Sequence, residues 1–185
     1  MRGGNKLLCE LAGVPIVARA ARALLASGVR PVLAVTGHDA ERVRAALADL
    51  DLEFVHNAGW AEGMASSLRA GVAALPAGID GVLVALGDMP ALRPALLRAL
   101  VAAFDPAAGR SICVPERKGR RGHPVLFGAE HFAELAALAG DVGARALFER
   151  HAASVHALAV DDPGILLDVD TPEALARLRD ETDPA

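Results

Sequence analysis

The run of residues 80–90 constrains the fold more than any other stretch, because it is apolar throughout and then ends in Gly87, Asp88 and Pro90. A strand that is apolar at every position is covered on both faces, as in the parallel sheets of α/β domains. Ligands collect at the carboxyl ends of such strands. The run therefore predicts a buried strand that holds Asp88 at the rim of a sheet. The alternative is that Asp88 only caps the next helix.

Strand-like and helix-like segments alternate along the whole chain. Strands are predicted at 32–36, 52–55, 81–86, 111–114, 125–127, 155–160 and 165–170, and helices at 16–27, 39–50, 64–75, 94–104, 129–138 and 144–151, with a last helix after Thr171. This order predicts a doubly wound, mostly parallel sheet with helices on both faces. No linker or repeat divides it, so residues 1–185 are expected to form a single domain.

Composition excludes several classes of partner. The 185 residues are 53% hydrophobic and 23% charged, with a formal net charge of −4, so neither nucleic acid nor an anionic membrane surface is expected as a partner. Cys9 and Cys113 lie far apart and form no zinc or disulfide pattern. The apolar runs have strand length, so neither a membrane span nor a signal peptide is expected. We expect a cytoplasmic protein that binds a small ligand.

Carboxylates stand at the ends of two predicted strands. Asp88 ends one, and Asp168 and Asp170 end the other, two residues apart and on the same face. If these ends converge, they form a site for Mg²⁺, which prefers a few carboxylates together with water and substrate phosphates. Such a site suits phosphoryl or nucleotidyl transfer.

Three loops carry further candidate ligand-binding residues, and each of these also has an ordinary structural explanation. Lys6 follows two glycines, which suits phosphate binding, although a frayed terminus explains it too. Ser66 and Ser67 lie in a first helical turn and either hold sugar or phosphate oxygens or belong to an ordinary capped helix. Arg121 and His123 belong to a basic loop that either closes over an anionic substrate or is a solvated hairpin.

Taken together, six motifs resemble the molybdenum cofactor cytidylyltransferases, a branch of the nucleotidyltransferases that also includes the guanylyltransferases of the same cofactor. The motifs are GNKLL at 4–8, NAGWAEGMASS at 57–67, GDMP at 87–90, RGHPVLF at 121–127, GDVGAR at 140–145 and DVDTP at 168–172. Each is weak alone, but their order along nearly the whole chain is specific. The resemblance implies a fold like that of the nucleotide-diphospho-sugar transferases. It also implies Mg²⁺-dependent transfer of CMP from CTP to the phosphate of molybdopterin, with release of pyrophosphate.

The resemblance also implies roles for individual residues. Lys6 would neutralise the triphosphate and Asp88 would bind Mg²⁺ with Asp170, or with Asp168 in its place. The base and ribose pocket would be lined by Asn57, Gly63, Met64 and Ser67, while Lys6 and Asp88 would bind the phosphate part of the nucleotide. The acceptor would be faced by Arg121, His123 and, through the loop before it, Arg145. A transient contact with a molybdoenzyme is implied as well.

Two departures from the family pattern leave the function less sharply defined. The family's first strand and its glycine- and arginine-bearing loop have no counterpart here. We therefore expect that the natural product begins upstream of Met1 and that this chain alone is unstable and inactive. Met89 replaces a more usual glutamine, which leaves guanylyl transfer open. Nucleotidyl transfer to a sugar or alditol phosphate stays open too, as does non-catalytic delivery of the molybdenum cofactor.

Overall fold

The computed structural model describes residues 5–140 and 144–169, with the side chain of Arg145 left out. Nine strands are described: β1 Glu10–Leu11, β2 Val14–Pro15, β3 Leu33–Thr36, β4 Glu53–His56, β5 Gly81–Val84, β6 Ile112–Arg117, β7 Arg120–Arg121, β8 Val125–Gly128 and β9 Val155–Ala159. The α-helices are α1 Ile16–Ser27, α2 Ala40–Ala46, α3 Met64–Ala73, α4 Pro94–Ala103, α5 Phe132–Ala136 and α6 Arg145–Arg150.

The strands form a sheet whose main direction is parallel. β3 and β4 pair in parallel, and so do β6 and β9. β8 runs antiparallel between β5 and β6, which leaves those two parallel to each other. The described pairings give two parts, β4-β3 and β5-β8-β6-β9, with β7 as a short hairpin partner of β6, while β1 and β2 pair separately. The predicted α/β class is confirmed, with antiparallel pairing at β8, at β7 and between β1 and β2.

An open slot separates the two parts of this sheet. Within the described residues β3 pairs only with β4, and β5 only with β8, while residues of both β3 and β5 line one large cleft. All four residues of β5 are only half-buried. The apolar run predicted burial on both faces, and the slot explains the difference because no described strand pairs along that edge of β5.

Local signals explain most helix ends. Gly28 ends α1 in the left-handed conformation at φ 92°, which glycine adopts without strain. Pro94 begins α4, where its missing N–H costs nothing. α2 stops at Ala46, four residues before the predicted end. The following turns use tighter i−3 bonds, such as the one from Leu50 N to Leu47 O at 3.0 Å.

Two predicted elements differ in kind. The predicted strand at 165–170 is wrong for its described part: Pro163–Leu166 is a 3-10 helix that Asp162 caps by accepting a hydrogen bond from Gly164 N at 2.8 Å. The helix predicted at 129–138 is split into a 3-10 turn, Ala129–His131, and α5. The predicted last helix lies outside the described residues.

Among the described residues, five apolar clusters fill the space between sheet and helices. One cluster joins β6 and β8 to α5 and α6 through Ile112, Phe127, Leu135 and Leu147. Another places α1 against the loop after β5, where Met89 is 2% exposed. Packing of this kind fixes the loop that carries Asp88. Among the residues that the structure describes, no helix has the length and apolarity needed to cross a membrane.

Candidate active site

The amino-terminal segment and the loop after β5 meet through an ion pair. Lys6 Nζ lies 2.7 Å from Asp88 Oδ2. Lys6 begins a 3-10 turn that Asn5 caps, since Asn5 Oδ1 accepts a hydrogen bond from Leu7 N at 3.1 Å. Gly87 packs against this turn, because a Cβ there would lie 3.4 Å from Leu7 Cδ2. The predicted triphosphate and metal segments are thus in direct contact.

Asp88 keeps one carboxylate oxygen available for a ligand. Its side chain is 16% exposed, and Oδ1 is buried with no hydrogen-bond partner. A buried polar atom left unpaired costs roughly 1–3 kcal/mol, so native proteins retain few of them. A cation bound at Oδ1 would remove this cost.

The last described residues reach Asp88 through the backbone. Val169 N donates a hydrogen bond to Asp88 O at 3.1 Å, which places the exposed Asp168 next to the Asp88 turn. The segment that reaches Asp88 is irregular chain, whereas the sequence predicted the end of a strand there. Asp170, the other predicted ligand, lies outside the described residues.

His123 is held near these carboxylates by a very close backbone approach. A Cβ on Gly122 would lie 2.2 Å from Ile165 O, so only glycine fits, and His123 N donates to the same carbonyl at 2.9 Å. Burial lowers the pKa of His123, against the opposing effect of the Asp88 and Asp168 charges. His123 is therefore neutral at neutral pH, and its buried Nδ1 has no hydrogen-bond partner.

Asn57 organises the loop before α3 from inside the protein. It is 6% exposed, and its Nδ2 donates to Ser66 Oγ at 2.8 Å and to Ser67 Oγ at 3.1 Å. Its Oδ1 accepts a hydrogen bond from Gly59 N at 3.0 Å. Asn57 thus orients the serines behind the cleft surface, whereas the resemblance had placed it on the pocket wall with Met64, which is 55% exposed.

Gly63 and Trp60 shape the same loop. Gly63 precedes α3 at φ 102°, a conformation that favours glycine. Trp60 is 46% exposed, and its ring centroid lies 4.9 Å from that of His38. The tryptophan therefore lies at the surface and does not fill the core.

The basic segment is a tight hairpin. Lys118 and Gly119 form its two-residue turn with φ 51° and 76°. Arg121 has a half-exposed side chain, with its Nε 3.9 Å from Glu116 Oε2 and its guanidinium carbon 5.7 Å from the centre of the Phe148 ring. Arg145 begins α6, and its side chain is outside the described part of the chain.

A single cleft of about 1520 Å³ connects most of these groups. Its lining includes Leu7 and Gly87, the neighbours of the ion pair, together with Met64, Ser67, Arg121 and His123. The slot between β3 and β5 opens into the same space. The cleft therefore brings together segments that are far apart in sequence.

Comparison with known proteins identifies the family. Residues 1–155 match the model of the MobA-like NTP transferase domain. The chain belongs to this family. It is therefore a nucleotidyltransferase, as the order of the six motifs predicted.

Similar proteins extend the likeness over nearly the whole chain. Nicotine blue oxidoreductase from Paenarthrobacter nicotinovorans is 35% identical over 182 residues, which are 95% of this chain and 88% of that protein. The crystal structure of Rv0371c from Mycobacterium tuberculosis H37Rv is 31% identical and superposes with a TM-score of 0.84, covering 96% of this chain and 90% of that one. A second structure of Rv0371c contains manganese; it is 30% identical with a TM-score of 0.81, covering 96% and 93%.

The residues of this MobA-like transferase fit a divalent metal at Asp88. Oδ1 is an unpaired buried carboxylate oxygen, and oxygen atoms are the ligands that hard cations such as Mg²⁺ prefer. Asp168 stands beside the same turn. A cation that keeps several waters and binds substrate phosphates needs only one or two such carboxylates.

Sequence reasoning missed the part played by Ile165. Its carbonyl oxygen accepts the hydrogen bond from His123 N and lies so close to Gly122 that a Cβ would not fit there, and its segment continues to Val169, which donates a hydrogen bond to the Asp88 backbone. Only the glycine before His123 could have indicated a close approach. The partner was not foreseeable, because it lies more than forty residues further along the chain.

Proposed function

We propose that this MobA-like transferase moves CMP from CTP to the phosphate of molybdopterin, with Mg²⁺ and release of pyrophosphate. The observation that carries the proposal is the pairing of Lys6 with Asp88 beside the cleft, with one Asp88 oxygen buried and unpaired. An ammonium and a carboxylate at this position suit a magnesium triphosphate, since each can exchange its present partner for a phosphate oxygen or a cation.

The reaction forms one P–O bond and breaks another. An oxygen of the acceptor phosphate attacks the α-phosphorus of CTP, and the bond to the β-phosphate oxygen breaks so that pyrophosphate leaves. The acceptor phosphate is already a nucleophile near neutral pH, so the chain must orient the reactants and stabilise negative charge. Bound Mg²⁺ would offset negative charge on the phosphate oxygens.

Four sets of side chains divide this work in the proposal. Lys6 would turn from Asp88 to the triphosphate, and Asp88 with Asp168 or Asp170 would hold the metal. The neutral His123 would hydrogen-bond to the acceptor phosphate. Arg121 is held only loosely by Glu116 and is free to contribute a charge-assisted hydrogen bond to the same phosphate.

Gly63, Met64 and Ser67 would bind the nucleoside. Met64 and Ser67 line the cleft, and Asn57 fixes the serine hydroxyl from behind. Residues 62–64 and 121–127 resemble the cytidylyl branch, which supports CTP over GTP. We propose a cytoplasmic location, which is supported by a sequence that carries only Cys9 and Cys113 and no disulfide framework.

A panel of nucleotides and acceptors tests the proposal. CTP, GTP, ATP and UTP are each combined with molybdopterin, a sugar phosphate or an alditol phosphate, and pyrophosphate release is measured with and without Mg²⁺. We expect release with CTP and molybdopterin, and a cytidine dinucleotide product by mass spectrometry. Pyrophosphate release only with GTP would instead favour guanylyl transfer. Release only with a sugar phosphate or an alditol phosphate would favour that acceptor over molybdopterin. Cofactor binding without release would favour a delivery protein that contacts a molybdoenzyme.

The name of one relative favours a second candidate, a redox reaction. Nicotine blue oxidoreductase is similar over 95% of this chain. The same preparation is therefore given nicotine blue with reduced nicotinamide cofactors, and their oxidation is followed by absorbance. Turnover there, without pyrophosphate release in the first assay, would favour the redox candidate.

A further inference from the structure

Three side chains away from the cleft form a compact cluster with the chemistry of a metal site. His131 ends the 3-10 turn before α5, Glu134 lies one turn later, and His151 follows α6. One ligand atom from each lies within 4.8 Å of the other two. In the part of the chain that the structure describes, no other group of three or more His, Cys, Asp or Glu side chains brings its ligand atoms this close together. The three-residue spacing places His131 and Glu134 on one helical face, and α6 brings His151 to them.

His131 supplies the second, independent observation. It is 3% exposed, and its Nε2 lies 2.8 Å from Oγ of Ser111, which is itself 2% exposed. Its Nδ1 is buried and has no hydrogen-bond partner. If the serine oxygen accepts the Nε2 proton, Nδ1 keeps a lone pair. A histidine whose second nitrogen is held by a neighbouring group in this way is typical of metal ligands.

Hydrogen bonds position the other two side chains of the cluster, Glu134 and His151. Glu134 Oε1 lies 2.7 Å from His151 Nε2, and Arg150 hydrogen-bonds to Oε2. Arg150 therefore orients the carboxylate as a metal site's outer partner would. The side chains of His151 and Glu134 are 26% and 30% exposed, so an ion has a path from solvent.

We propose that His131, Glu134 and His151 bind a Zn²⁺-class divalent cation, with water as the fourth ligand. Two imidazoles and a carboxylate suit zinc better than magnesium or calcium, which prefer oxygen ligands. Tetrahedral bonds of about 2.0–2.1 Å place ligand atoms roughly 3.3 Å apart, so the three side chains need only small rotations. The ion would replace the hydrogen bond between Glu134 and His151, with the Nε2 proton moving to Nδ1 of a neutral ring or leaving a protonated ring for solvent, and it would join α5 to the end of α6.

Zinc titration of the full chain tests this site. The protein is stripped with a chelator, and Zn²⁺ binding is measured by competition with a chromophoric chelator and by the melting temperature. We expect one equivalent of tightly bound zinc and a higher melting temperature. Binding of Co²⁺ should give the intense visible spectrum of a tetrahedral site. No zinc binding, or binding without any rise in melting temperature, would overturn the proposal.

Matched variants separate this site from other zinc ligands. His151→Ala and Glu134→Gln each remove one half-exposed ligand and should weaken binding by more than the roughly 10–100-fold typical of outer-partner changes. Ser111→Ala should weaken it by about 10–100-fold. The controls His56→Ala and Glu53→Gln, at exposed positions outside the three ligands, should leave it unchanged. Unchanged affinity in both His151→Ala and Glu134→Gln would place the ion elsewhere and contradict the assignment.

Discussion

Gly122→Ala should damage stability and the site together. The new Cβ would lie 2.2 Å from the Ile165 carbonyl oxygen and 2.8 Å from its carbon, which are backbone atoms that cannot rotate away. The Ile165 segment would have to move by about 1 Å to reach an ordinary contact, at a cost of roughly 1–3 kcal/mol for overpacking. That movement also stretches the 2.9 Å bond from His123 N to Ile165 O, which adds about 1–3 kcal/mol if it breaks.

The expected loss is therefore about 2–6 kcal/mol in the free energy of unfolding. For a chain of this size that lowers the melting temperature by roughly 4–24 °C. Denaturant unfolding measures the first quantity, and calorimetry measures the second. Gly71→Ala is the control, because its Cβ would meet a single side-chain atom, Val35 Cγ2 at 3.1 Å, rather than backbone atoms, and alanine is favoured within a helix. A Gly122→Ala protein within about 0.5 kcal/mol of the parent would refute the close approach.

Three further predictions address the acceptor, the slot and the thiols. Arg121→Ala should weaken binding of the phosphate acceptor by about 1.5–3 kcal/mol and leave CTP binding unchanged. Calorimetric titration with Arg120→Ala as the control checks this, and equal losses for acceptor and nucleotide would count against it. If a strand ahead of Met1 fills the slot, a chain extended at its amino terminus should have a higher melting temperature and slower hydrogen exchange at the amides of β3 and β5. Equal melting temperatures and equal exchange rates for the extended and the present chain would show that the slot needs no strand. Burial raises the pKa of Cys113 and keeps it protonated at pH 8, so iodoacetamide should label it only after unfolding, and rapid labelling of the native protein would contradict its burial.

The sequence predicted the fold class because its signals are local. The apolar run at 80–90, Gly28 after α1 and Pro94 before α4 each act on neighbouring residues, and the structure has strands and helices at those positions. The exposure of β5 was not predictable, since it depends on what lies beside that strand across the slot. The prediction of a strand at 165–170 was wrong for its described part, because Asp162 and Pro163 favour a capped 3-10 turn over an extended chain.

The candidate site was predictable in its parts but not in its contacts. The Asp88 turn and the Lys6 loop were recognised separately, whereas their 2.7 Å ion pair joins residues 82 positions apart. The internal hydrogen bonds of Asn57 were not predictable, because a sequence motif does not show which side chains bond to other groups inside the protein. His131 and His151 carried no sequence signal at all, since only the packing of α5 and α6 brings them together.

The central claim is that Asp88 holds the metal of a nucleotidyl transfer, and the turnover of Asp88→Asn tests it most directly. The substitution should change stability little, because a partly exposed ion pair such as that with Lys6 contributes only about 0–1 kcal/mol. Pyrophosphate release should fall by at least about 100-fold, since the site loses stabilisation of charge at the phosphates. Asp161→Asn is the control, because Asp161 is exposed and pairs only with Arg117 among the described side chains. We predict a correctly folded, inactive Asp88→Asn protein beside an active Asp161→Asn protein; near-native turnover by Asp88→Asn would contradict the account.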